Sequence, residues 1–247
     1  MGSGGFVTCA FCVAHRMGYN SFSALGKPLI NFPMQRMLFI KASHDVCATE
    51  VEHIQKICEM FNIQHCAIEL DDLATFGNQV APLGKFDFLY LGAHADVSGF
   101  GEANSSVYFD WESFAITLCS ADCLCPESIL LLACCRGGLR MVAMKLFYSC
   151  AKIDYITGPR WTVTPQDITT AFHVFLYNMV IRREQPSTAA KRASEATGYD
   201  FYYYDRVETE DIIYTAAMEE HLKSERSTSV TEMSYDVANS LTDLNSP

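Results

Sequence analysis

At 247 residues the chain is long enough to bury a sizeable core in one α/β domain, and 49% apolar with 19% charged residues is the balance of a globular protein. A formal net charge of −11 with no basic stripe excludes a nucleic-acid-binding surface, because phosphate contacts need clustered Lys and Arg. No run approaches the roughly eighteen apolar residues of a membrane span, so no membrane partner is expected. The apolar stretch 6–14 has neither basic residues before it nor a small-residue cleavage site after it, so a secretory signal is not expected and the location predicted is cytoplasmic.

Eleven cysteines are scattered through apolar runs rather than spaced as a framework, which reads as reduced, buried thiols. Cys123 and Cys125, with Cys134 and Cys135, do not make a zinc pattern: no two of these four stand at C-x-x-C spacing and no His lies at ligand spacing from them. Neither a metal nor another cofactor is predicted.

Residues 1–35 carry Gly, Ser, Asn and Pro without a sustained period and read as an irregular lead-in, of which residues 1–5 look like a cloning remnant. Residues 37–40 are the first clear strand, stopping at the polar cluster Ser43-His44-Asp45. Val51, Ile54, Ile57, Cys58 and Phe61 then recur at helical spacing, with Thr49 and Glu52 offering a capping box. Residues 63–70 read as a second strand, followed by a loop or short helix ending near Gly84. A third apolar run, 86–93, ends at His94. This alternation of strand and helix predicts a parallel sheet with crossover helices.

Past His94 lie a glycine-bearing loop and a small hairpin arm at 106–110. Asp110 is placed to cap a helix with Trp111, Phe114, Ala115 and Leu118 on one face. Residues 128–134 follow as a strand whose unbroken apolar run suits burial on both faces, ending in Cys134-Cys135-Arg136-Gly137-Gly138. A helix from about 139 to 151, a strand at 153–157, an apolar helix at 168–181 and an alanine-rich helix at 187–196 complete a domain drawn at 36–198. From Tyr199 the composition shifts, so 199–247 reads as an acidic helix around 209–222 and a polar tail.

An imidazole and a thiol therefore end two strands that are 40 residues apart in sequence. If those strands are parallel neighbours, His94 and a cysteine face one crevice at the C-terminal edge of the sheet, where ligands of open α/β sheets are found. A Cys brought near a His by the fold is the arrangement of a nucleophile and its base. Successive strand side chains face opposite ways, so only one of Cys134 and Cys135 can point into that crevice.

Residues 86–95 with 99–102, 111–114, 129–137 and 155–167 resemble the caspase-like cysteine peptidases of clan CD, particularly the bacterial CHAT group related to separase. The resemblance implies a caspase-hemoglobinase fold, with a mostly parallel central sheet flanked by helices on both faces. It also implies a His-Cys dyad, with the cysteine in a segment A-C-x-x-G. Ala133-Cys134-Cys135-Arg136-Gly137 fits that form with Cys134 as nucleophile, the favoured assignment. The form A-C-R-G would instead align Cys135. The family position after the His is usually Gly and helps bind the oxyanion through its N–H, and here it is Ala95.

Asp96, Glu102 and Asp167 would favour a basic side chain on a protein or peptide substrate, Arg160 an acidic one, with a slight lean to basic. The activity implied is that of a cysteine endopeptidase, a protease effector of bacterial stress or antiviral defence switched by a partner or small signal molecule. The alternative is a catalytically silent caspase-like module that senses a ligand or nucleates an assembly.

Overall fold

A computed structural model describes residues 35–212, with Ala48 and Ser105 left out. The lead-in and most of the predicted acidic helix and tail therefore lie outside the described residues.

Apolar runs bounded by polar clusters become the strands of a six-stranded sheet. In chain order these are β1 (Arg36–Lys41), β2 (Gln64–Glu69), β3 (Phe86–Gly92), β7 (Leu124–Ala133), β8 (Tyr155–Pro159) and β9 (Phe201–Asp205), arranged β2-β1-β3-β7-β8-β9. The first five are mutually parallel, and only β9 runs antiparallel, against β8. Between β3 and β7 the chain makes a three-stranded antiparallel sheet of β4 (His94–Ala95), β5 (Gly99–Gly101) and β6 (Tyr108–Asp110).

Alternation along the strands sends side chains into two cores. Leu38, Leu89, Leu91, Leu130 and Leu132 pack under α3 (Leu73–Val80), α4 (Trp111–Ala121) and α5 (Arg140–Ser149). Met37, Phe39, Phe88, Tyr90 and Leu131 pack under α2 (Glu50–Met60), α6 (Pro165–Leu176) and α7 (Pro186–Thr197). The result is an α/β architecture with a mostly parallel central sheet covered by helices on both faces. A short helix α1 (His44–Cys47) bridges the end of β1 to α2.

Asp72 and Asp110 cap α3 and α4 through their side chains, as short polar residues ahead of apolar periods should. Thr49 does not make the predicted capping box. Its own backbone is helical (φ −112°, ψ −39°), which denies the hydroxyl the extended geometry a capping side chain requires, and no side-chain cap bond forms. The sheet also continues beyond residue 198. Residues 201–205, read in the sequence as the start of an extension, are its sixth strand, because Tyr203 stacks on Tyr155 of the neighbouring strand and Tyr202 stacks on Tyr204 along β9 itself.

The turn leaving β7 is built from close backbone approaches. A Cβ on Gly138 would lie 2.1 Å from the Gly158 carbonyl oxygen, and one on Gly137 would lie 2.7 Å from Leu132 Cβ and 2.9 Å from Cys134 Sγ. Gly138→Ala should therefore cost about 3 kcal/mol in chemical denaturation, since no rotamer relieves a contact with backbone. A loss under ~0.5 kcal/mol would show that the turn yields freely.

Glu50, at the start of α2, is 2% exposed and accepts a hydrogen bond from Tyr90 Oη at 2.5 Å. Burial raises its carboxyl to about 8, although the Tyr90 bond opposes the rise. An acid raised in the folded state stabilises the fold below its unfolded value near 4.5 and loses that contribution as pH climbs to about 8. Melting curves from pH 5 to 9 should show the wild type losing stability by at most ~1.4 kcal/mol per pH unit in that window, and Glu50→Gln should remove the slope.

Candidate active site

The register of the sheet decides what meets at its C-terminal edge. Gly92 of β3 lies opposite Ala133 of β7, so one residue further Ala93 corresponds to Cys134, and two further His94 corresponds to Cys135. Ala93 and Cys134 are 3% exposed and both belong to the core under α3, α4 and α5. Parity assigns His94 and Cys135 to the opposite sense, at the rim where the two strands leave the sheet.

Cys134 is a buried thiol. Burial pushes its ionisation well above the ordinary thiol range, and the neighbouring Cys135 and Glu50 add to the rise. Its sulfur sits beneath the turn, in the space that only a glycine at 137 leaves open. Cys135 is half-buried, with Sγ 3.9 Å from the Val163 carbonyl oxygen.

Three successive amides of the turn are bonded. The amide of Arg136 donates to Trp161 O at 3.2 Å, that of Gly137 to Cys134 O at 3.2 Å and that of Gly138 to Pro159 O at 2.8 Å. Tyr204 Oη, from β9, donates to Gly138 O at 3.0 Å. Arg136 holds a left-handed backbone with φ +61°, an uncommon and costly conformation for a residue with a Cβ. Such strain persists where surrounding bonds enforce it, and here they do.

His94 stands on β4, opposite Gly101. Its Nε2 lies 3.0 and 3.1 Å from the two carboxylate oxygens of Asp45 on α1. β1 and β3 are paired with Lys41 opposite Gly92, so the chain leaving β1 delivers Asp45 beside the imidazole. Asp45 also accepts from Ser43 Oγ and from the Val46 amide. The Ser43 and His94 hydrogen bonds, in that order, lower the Asp45 carboxyl to about 2. Among the described residues no hydrogen bond joins His94 to Cys134 or Cys135.

The four charged residues expected to meet substrate fall in different places. Asp96, in the β4–β5 turn, is opposed by burial. The Ser98 and Gly99 amides and the Tyr108 hydroxyl nonetheless hold its carboxyl below the usual range, and the Arg136 charge assists. Glu102 accepts from the His44 amide at 3.0 Å, Ser43 Oγ at 3.1 Å and His44 Nδ1 at 2.5 Å. These bonds lower the Glu102 carboxyl and raise the His44 imidazole. Arg160, at the end of β8, lies over the rings of Trp161 and Tyr202 and donates to Tyr202 Oη at 2.8 Å. Asp167 caps α6: it accepts from the Thr164 amide and hydroxyl at 3.2 and 2.7 Å, which commits its carboxylate to the helix.

A cleft of about 140 Å³ opens beside this edge, with Lys41, Ser43, His44, Glu69, Asp71 and Glu102 in its wall. Among the described residues no group of three or more His, Cys, Asp or Glu side chains is set to hold a metal ion, and no helix is long and apolar enough to cross a membrane. Sequence reasoning singled out Ser43-His44-Asp45 as a polar cluster but did not connect Asp45 to His94. The matching signal was available: both residues follow adjacent apolar strands at similar short distances. The chain matches no protein-family model, and no curated protein matches it.

If Ser43 and His94 hold the Asp45 proton affinity down as the geometry implies, removing either partner should raise it. Carboxyl ¹³C titration should find Asp45 moved from about 2 toward its ordinary 3.8 in His94→Ala, and further still in Ser43→Ala. An unmoved titration in both variants would mean that the contacts are not formed in solution.

Proposed function

We propose that this chain is a cysteine hydrolase whose nucleophile stands at the tip of β7 and whose base is His94. The observation that carries the reading is the register of β3 and β7, with Gly92 opposite Ala133, which brings an imidazole and a thiol to equivalent positions on neighbouring parallel strands. It favours Cys135 over Cys134: Cys135 matches His94 in register and is the more accessible thiol, whereas Cys134 is closed in the core. The form A-C-R-G, aligned on residues 134 to 137 with Cys134 in the place of its Ala, agrees with that choice in its last three residues. Within this class the reading is a caspase-like cysteine endopeptidase of the CHAT and separase kind, supported by the helix-covered, mostly parallel sheet and by the order of His and Cys along it.

In this mechanism His94 takes the Cys135 proton, the sulfur bonds to the substrate carbonyl carbon, and the resulting oxyanion is held by the backbone amides of Ala95 and Cys135. His94 then returns the proton to the departing amine as the C–N bond breaks, leaving a thioester that a water activated by His94 hydrolyses. Asp45 orients the imidazole through Nε2, so that Nδ1 is presented to the thiol. The substrate is a protein or peptide. Asp96 and Glu102, near the site, suit a basic residue at the cleaved bond, while Asp167 serves its helix. A role in defence or stress, and a switching partner or signal molecule, belong to the same proposal. Because His94 is bonded to Asp45 and to neither cysteine, the described state is a resting one that closes on substrate. The same fact favours a silent binding module as the second reading.

A mechanism-based peptide acyloxymethyl ketone with Lys or Arg at its terminus separates the two. Wild type and Cys134→Ala should be labelled, while Cys135→Ala and His94→Ala should lose at least about tenfold in labelling rate, the scale of a lost general base being ~10² or more. Labelling that vanishes only in Cys134→Ala would move the nucleophile to that residue. Equal labelling of all four proteins would leave the silent module.

A further inference from the structure

Two buried polar side chains, on the segments that carry Asp45 and His94, have no part in the mechanism. Glu50 opens α2 at 2% exposure, and Tyr90, on β3 four residues before His94, is itself buried and donates to Glu50 Oε1 at 2.5 Å. An acid in a helix's first turn ordinarily stays in water, where it meets the positive end of the helix dipole without desolvation. This one is instead enclosed with Tyr90, which packs against the rings of Phe39 from β1 and Phe172 from α6.

The bond closes a second link between the chain leaving β1 and the chain leaving β3. Ahead of Asp45 that chain is held by the Ala42 amide on Gly92 O at 3.0 Å and by Ser43 Oγ and the His44 amide on Glu102. Beyond Asp45 the buried tie is Glu50. The Asp45 side chain is 61% exposed and its helix has four residues, so its own packing fixes it little. An exposed carboxylate–imidazole pair returns about as much as the ordering of two free side chains costs, so the pair needs its segment held from both ends.

We propose that the buried Glu50–Tyr90 hydrogen bond is a positioning pair that seats Asp45 against His94, and that loss of the Glu50 proton releases it. A buried carboxylate gains by returning to water, and the first turn of α2 leaves β3 with it. Asp45 is then held from one end only, and the imidazole loses the group that turns Nδ1 toward the thiol. Burial lifts the Glu50 carboxyl to about 8 against the opposing Tyr90 bond, so the pair is seated at neutral pH and released above it. The titratable groups facing Glu50 are the Tyr90 phenol and the Cys134 thiol at the end of β7, whose ionisation Glu50 opposes. Phe39 and Phe172 bring no charge, and Glu52 and His53, next on α2, face solvent.

The test follows the Asp45 carboxyl of the full chain by ¹³C resonance. In wild type its signal should show, besides its own titration at about 2, a second step near pH 8 that coincides with the titration of Glu50. Glu50→Gln, which keeps a neutral acceptor for Tyr90, should abolish the second step and leave the first at about 2. Tyr90→Phe and Glu50→Ala should move the first toward 3.8. No second step in wild type, the same step retained in Glu50→Gln, or an unmoved first titration in Tyr90→Phe overturns the proposal; the wild-type curve decides even where a variant fails to fold. The consequence for catalysis rests on the reading of His94 as base. With Glu50 only about one part in eleven protonated at pH 9, labelling by the peptide acyloxymethyl ketone should fall about tenfold from pH 7 to 9 in wild type relative to Glu50→Gln. A chain never labelled at any pH would sink the hydrolase reading alone, and the Asp45 steps would still decide the positioning pair.

Discussion

The candidate site rests on one tightly held piece of backbone. Residues 134–139 turn back from β7 with three successive amides bonded, two of them to the neighbouring strand's exit at Pro159 and Trp161. Gly138 lies so close to Gly158 that no side chain fits between them, and Arg136 is kept in a left-handed conformation. An exposed loop with free amides would let Cys135 sample many directions at a cost in order of about 1–2 kcal/mol per residue fixed. Here that order is already imposed by bonds to β8 and β9, and the sulfur's position follows from it.

Two groups of very different kinds lie at this edge of the sheet. On the β1 side stand a carboxylate and an imidazole, Asp45 and His94, with Ser43, His44 and Glu102 bonded behind them. On the β8 side stand an arginine and two aromatic rings.

Much of the fold was legible because parallel strands buried on both faces leave an unmistakable mark, a short apolar run cut off by polar or glycine residues, as at 86–93 and 128–134. The helices of α4 and α6 were equally plain, since Asp110 precedes one strong apolar period and Pro165 with Asp167 opens the other. What escaped was decided by tertiary context. Tyr202, Tyr203 and Tyr204 have neither the alternation nor the flanking glycines of a central strand, and they are a strand because Tyr155 and the end of β8 offer them packing. Which of Cys134 and Cys135 lies closed in the core needed the register of β3 against β7, which no local pattern contains. Asp45 needed the pairing of β1 with β3.

The clasp on the turn has a consequence for how the chain matures. The hydroxyl that closes on Gly138 belongs to Tyr204, 66 residues further along. During synthesis the glycine pair leaves the ribosome well before its last anchor, so at ~5–20 residues per second the turn waits several seconds for that bond. The turn that carries the sulfurs at positions 134 and 135 thus gains its final anchor only once β9 has emerged, and a nascent chain halted before β9 would hold it by the bonds to β8 alone.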